Sequence, residues 1–179
     1  LFVRMISGPN VPENMSLFAR YADPQLYDSW KDKGAFLHLD APWWFGRGGM
    51  VDFSGDSGRH LWSQKTRELL DTGIRFFKND DGEYVPPDSV ASSGISADEM
   101  HNAYGLYYSR SMYKTCEDAY GRGLVYARSV WTGCQKTPAL FLGDQQPNER
   151  GIARSLHAGL SLSLAGFSFW TADLYGLAG

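Results

Sequence analysis

The chain has 179 residues, 43% hydrophobic and 21% charged, with a formal net charge of −3; this suffices for one domain with a sizeable core and is too apolar for a disordered chain. The small net charge, without a long run of either sign, excludes an electrostatic footprint for nucleic acid, and there is no apolar run of ~18 residues to span a membrane. Aromatic residues reach 15%, with 6 Trp and 10 Tyr, and such rings suit a carbohydrate surface as well as a core.

The opening Leu1-Phe2-Val3-Arg4-Met5-Ile6 reads as a buried strand, broken by Ser7-Gly8-Pro9-Asn10. From Tyr21 to Phe53 the frequent Gly, Pro and aromatic residues read as a long ordered loop excursion rather than as regular elements. Leu61, Trp62, Lys65, Thr66, Leu69 and Leu70 recur at helical spacing, and Gly73 stands where a left-handed C-cap would end the helix. A strand Ile74-Arg75-Phe76-Phe77 then leads into the polar cluster Lys78 to Glu83.

Ser96-Ala97-Asp98-Glu99 has the form of a capping box and opens a helix expected to reach about Tyr120. Leu124 to Ala127 and Ala139 to Leu142 follow as strands, ending at Arg128 and at Gly143-Asp144. Ile152, Leu156, Leu160 and Leu164 predict another helix, and Phe167 to Trp170 a strand that ends near Asp173. Strands alternating with helices argue for βα units and a parallel sheet, hence an α/β fold. Four successive strands end in polar residues, as in a (β/α)8 barrel whose site lies at its C-terminal face. A doubly wound nucleotide-binding sheet is disfavoured, because no glycine-rich phosphate loop follows a strand.

Asp80 and Asp144 end strands two βα units apart, so a barrel would bring both to one mouth. Paired carboxylates are what glycoside cleavage requires: one attacks or stabilises the anomeric carbon, the other donates a proton to the leaving oxygen. Cys116 and Cys134 fit neither a metal knuckle nor a disulfide scaffold, and His38, His60 and His157 lack metal-ligand spacing, so no metal is expected. Trp43, Trp44, Trp131 and Trp170 are candidates for stacking on sugar, Trp131 foremost because it follows Arg128 at a strand end.

Several stretches resemble glycoside hydrolase family 31, the α-glucosidase and α-xylosidase family. Phe77-Lys78-Asn79-Asp80-Asp81-Gly82-Glu83 is similar to its nucleophile motif, His101-Asn102-Ala103-Tyr104 to the segment that follows, and Arg128-Ser129-Val130-Trp131-Thr132-Gly133 to its RSxxAG stretch. Gly143-Asp144 resembles the acid/base pair, Gly159 to Gly166 the GLSLGLSG run, and Thr171-Ala172-Asp173 the next strand's Asp segment. Val51-Asp52-Phe53-Ser54 resembles the approach to the nucleophile strand.

The resemblance implies a (β/α)8 TIM barrel of which this chain covers approximately strands 3 to 7, with residues 1–179 part of one catalytic domain truncated at both ends. It implies a retaining α-glycosidase acting on terminal α-linked sugars by double displacement, with Asp80 as nucleophile, Asp144 as general acid/base, and no cofactor. Arg128, Glu83, Trp131, Asp173 and Phe141 would bind or shape the pocket around an oligosaccharide or α-glycoside substrate. Alternatives are a transglycosylase of the same family, an α-galactosidase-type or sulfosugar-specific hydrolase with the same catalytic pair, and a non-catalytic carbohydrate-binding barrel. Two departures bear on sugar specificity. Asp81 stands where the motif has an apolar residue, for which Lys78 is the candidate counter-ion, and Gln145-Gln146-Pro147 replaces the small residues after the acid/base.

Overall fold

The computed structural model describes residues 17–18, 23–43, 46–137 and 139–173, without the side chains of 17, 18, 43 and 46. The expected first strand, Leu1 to Ile6, its Ser7 to Asn10 turn and Trp44 lie outside the described residues.

A small antiparallel sheet comes first, formed by β1 (Leu17–Phe18), β2 (Phe36–Trp43) and β3 (Gly46–Val51) in the order β1-β3-β2. Helix α1 (Pro24–Asp32) precedes β2; the Asp23 carboxylate caps it by accepting from the Leu26 amide at 2.9 Å, with Pro24 in the first turn. These elements replace the expected loop excursion. Glycine and proline obscured them for a physical reason: β3 must be thin where β2 crosses it, because a Cβ at Gly49 would lie 2.8 Å from the Phe36 ring.

The second half alternates strictly. Helix α2 (Asp56–Asp71) leads to β4 (Phe77–Asn79), α3 (Ala97–Tyr120) to β5 (Val125–Ala127), a short 3₁₀ turn at Cys134–Lys136 to β6 (Ala139–Asp144), and α4 (Glu149–Leu164) to β7 (Trp170–Asp173). The four strands pair in chain order, all parallel. The sheet does not close on itself among the described residues. β4 and β7 each begin three residues later than the apolar runs suggested, so the polar residues expected beyond them lie partly on the strands.

Helix ends follow the sequence signals. Ser96 and Glu99 form the capping box, Gly121 closes α3 with φ 73°, and Gly73, one residue past the cap of α2, has φ 100°.

One face of the parallel sheet buries Phe77, Val125 and Ala127 with α2 and α3. There the aromatic excess is largely spent on packing: Phe53 stacks on Tyr108 at 4.8 Å and meets Trp62 edge-on at 5.4 Å, while the Tyr104 hydroxyl donates to the Val51 carbonyl at 2.8 Å. The opposite face carries Lys78, Tyr126, Phe141 and Asp173, linked to one another across the strands. Among the described residues no helix is long and apolar enough to cross a membrane.

Candidate active site

The candidate residues gather at the C-terminal ends of β4, β5 and β6, on the face opposite the helical core. Immediately after β4 the backbone turns sharply, with φ 54° at Asp81 and 96° at Gly82. Only glycine takes the second of these freely, and here it also needs the space, because a Cβ at Gly82 would lie 2.5 Å from the Ser129 hydroxyl. The reversal returns the carboxylates of Asp81 and Glu83 toward β5, where Arg128 emerges directly after Ala127. The Arg128 amide donates to the Asn79 carbonyl at 2.9 Å, extending the ladder to the site itself.

Arg128 is the hub. Its Nη1 lies 2.7 Å from Asp80 Oδ1, its Nε donates to Glu83 Oε1 at 2.6 Å, and its Nη2 donates to Glu83 Oε2 at 3.1 Å and to Asp81 Oδ1. Burial works against its charge, but the hydrogen bonds to Glu83 and the fields of Glu83, Asp80 and Asp81 outweigh it and hold the guanidinium more firmly protonated than in water. Asp80 Oδ1 also accepts from the Asp81 amide at 2.9 Å. Its Oδ2 is left without a protein donor among the described residues.

Asp144 ends β6 and is exposed, with no ion pair among the described residues. It is in register with Asp173 on β7, and the Gln145 amide donates to the Asp173 carbonyl at 2.9 Å. Gly143, with φ 73°, lets the chain pass against Arg128, whose Cδ would stand 3.1 Å from a Cβ there. Strand spacing of roughly 4.8 Å puts the β4 and β6 backbones roughly 10 Å apart, with β5 and Arg128 between them.

A second ion pair floors the site. Lys78 Nζ lies 2.6 Å from Asp173 Oδ2 and 4.1 Å above the Phe141 ring, which stacks on Tyr126 at 5.0 Å. Phe141 is fully enclosed and presents no ring face to solvent. Burial pushes the Tyr126 phenol above its ordinary range, the Asp173 charge adds to this, and a hydrogen bond with Thr171 opposes it.

Trp131, in the loop after β5, is 47% exposed. Trp170 instead packs on Gly159 and donates Nε1–H to Ser163 Oγ at 2.8 Å. His38 pairs with Asp88 at 3.2 Å. Burial pushes the Cys116 thiol up to about 11, and Cys134 is buried as well; both are free thiols.

Two contributors escaped the sequence reading. Arg128, 47 residues away, meets Asp81, and Lys78 reaches across the sheet to Asp173. The Asp81-Gly82 pair, a turn signal, was the available clue. Asp52 is the other. It is buried just past β3 and accepts from the amide and hydroxyl of Ser54 (2.9 and 2.6 Å) and of Ser92 (2.8 and 2.6 Å). This clamp fixes the loop that carries Asp81 and Glu83. Burial works to raise the carboxyl's pKa, but these hydrogen bonds win and hold it below the usual carboxylate range.

Residues 3–177 match the glycosyl hydrolases family 31 TIM-barrel domain. An α-xylosidase from Emericella nidulans is 34% identical over 163 residues, covering 86% of this chain and 21% of that protein. Among solved structures, the cycloalternan-forming enzyme from Listeria monocytogenes, in complex with a pentasaccharide substrate, superposes with a TM-score of 0.76 at 32% identity, covering 89% of this chain and 16% of that one. The cycloalternan-degrading enzyme from Trueperella pyogenes, in complex with a covalent intermediate, gives a TM-score of 0.76 at 27% identity, with 86% and 22% covered. The chain thus spans about a fifth of the length of such relatives.

Proposed function

The chain belongs to glycosyl hydrolase family 31 and forms part of its α/β barrel, and from that premise we propose that the protein is a retaining α-glycosidase acting on terminal α-linked sugars of an oligosaccharide or α-glycoside. The carrying observation is the arrangement of three strand ends: Asp80 just after β4 and Asp144 at the end of β6 flank Arg128 just after β5, which pairs with Asp80 alone of the two.

The two carboxylates differ in their surroundings, and on this reading they take different roles. Asp80 is the nucleophile. Its Oδ1 is engaged by Arg128 and the Asp81 amide, which orients Oδ2 to attack the anomeric carbon. Arg128 is also its counter-ion. Asp144 makes no ion pair among the described residues, and its exposure lets it reach the leaving oxygen. As the Asp80–carbon bond forms, the glycosidic C–O bond breaks and the Asp144 proton passes to the departing oxygen. Asp144 then takes a proton from water, whose oxygen displaces Asp80. Retention needs the two carboxyl groups ~5 to 5.5 Å apart, so this reading requires the two side chains to lean toward each other from strands roughly 10 Å apart.

Glu83 and Asp81 hold Arg128 in place, and Asp173 with Lys78 and Phe141 floors the site. The exposed Trp131 ring offers a stacking face at the rim. The covalent intermediate named for the Trueperella enzyme supports double displacement, and the α-xylosidase from Emericella an α-linked glycone.

The test is the anomeric configuration of the first-formed sugar, followed by NMR before mutarotation, with the intact protein and an aryl α-glycoside. The α-anomer is expected; initial release of the β-anomer would contradict the mechanism.

A further inference from the structure

Asp81 stands where the family motif has an apolar residue, and double displacement requires no second acid beside the nucleophile. It is nevertheless 4% exposed, and its φ of 54° lies in the left-handed region, which Asp and Asn tolerate better than other residues with a side chain. A buried carboxylate is costly unless paired, and this one is paired with Nη2 of Arg128. Nε faces Glu83 and Nη1 faces Asp80, so every nitrogen of the guanidinium meets a carboxylate of the chain itself. Gly143 backs the stem of the arginine. An arginine claimed in this way has no open fork to give a ligand anion.

From this geometry we infer that Asp81 is a positioning residue that sets glycone specificity: it fastens Arg128 to the acid wall of the site and closes the site to sugars bearing a carboxylate or sulfonate. The inference rests on the retaining-glycosidase reading. Asp80, Asp81 and Glu83 place three negative charges around one positive one, and Lys78 on the same face is engaged with Asp173. An anionic ring substituent entering here meets like charge and no unclaimed guanidinium nitrogen. A neutral glycone can donate its hydroxyls to the same carboxylates.

The experiment compares, in the intact protein, kcat/KM for a neutral aryl α-glycoside and for its counterpart oxidised to a carboxylate or carrying a sulfonate at C6. Wild type and Asp81→Asn are measured side by side. Asparagine keeps the shape and tolerates the left-handed backbone, so the variant is expected to fold, checked by a cooperative thermal transition above the assay temperature. Removing one unit of charge beside the glycone is expected to raise the anionic-to-neutral ratio about tenfold, carried by KM rather than kcat. Asp81→Phe, which restores an apolar residue, is expected to move the ratio in the same direction. An unchanged ratio in both variants, or a wild type that prefers the anionic sugar, would overturn the inference while leaving the glycosidase reading intact. Turnover of neither substrate by wild type would instead remove that reading, and the inference with it.

Discussion

Arg128 Nη1 stands 2.7 Å from Asp80 Oδ1 across the ends of two neighbouring parallel strands. This pairing makes one arginine the counter-ion of the proposed nucleophile as well as of Asp81 and Glu83. Arg128→Lys should therefore do more than weaken one contact. A lysine is a single point charge and cannot present separate nitrogens to three carboxylates. The expected cost is about 2 to 4 kcal/mol of stability, because partly buried acids lose their partner. Denaturation of variant and wild type at neutral pH measures it, and a variant of wild-type stability would show that the cluster is solvated rather than held together by the guanidinium.

The assignment of Asp144 as acid predicts a dependence on leaving group. Asp144→Ala should lower kcat/KM by about 10²- to 10⁴-fold on glycosides whose leaving oxygen needs a proton. The loss should be small where the leaving group departs readily as an anion, such as a dinitrophenolate. A series of aryl α-glycosides of graded leaving-group acidity provides the measurement. An equal loss across the series would place Asp144 outside the proton-transfer step.

Asp52 predicts how stability responds to acid. Its hydrogen bonds to Ser54 and Ser92 hold its carboxyl below the ordinary value in the folded chain, overcoming the opposing effect of burial. A lowered folded-state value means that the unfolded chain binds the proton more readily. The stabilisation is thus fully present above the unfolded value of about 3.9 and is lost as pH falls through the folded one. Asp52→Asn should cost about 1 to 3 kcal/mol at pH 7, and the gap to wild type should narrow below about pH 4. Denaturant midpoints at both pH values decide the matter; a gap that widens on acidification would reverse the sign.

Much of this site was legible in the residues. Asp80, Arg128, Asp144 and Asp173 lie at successive strand ends because an alternating βα pattern has only one face on which strands can end, and that pattern survives as apolar runs followed by polar ones. The Ser96–Glu99 capping box and the glycines after α2 and α3 were equally plain, since their chemistry is local. What stayed hidden was non-local or disguised. The β2–β3 hairpin carries Pro42 and three glycines where strand formers are usual, because Phe36 occupies the space above Gly49. The boundaries of β4 and β7 slid toward the site because Lys78 and Asp173 are satisfied by each other across the sheet, which lets polar residues occupy strand positions. No sequence spacing shows that Asp81 folds back onto an arginine from the next strand.

Attack by Asp80 on the sugar leaves a covalent glycosyl-enzyme, which can be captured. The intact protein would be incubated with a panel of 5-fluoro α-glycosyl fluorides, whose electron-withdrawing substituent slows breakdown of the glycosyl-enzyme, and then digested for peptide mass spectrometry. A single glycosyl label is expected on the peptide containing Asp80, absent from Asp80→Ala. A label on another carboxylate, or rapid turnover of an α-glycoside by Asp80→Ala, would contradict it.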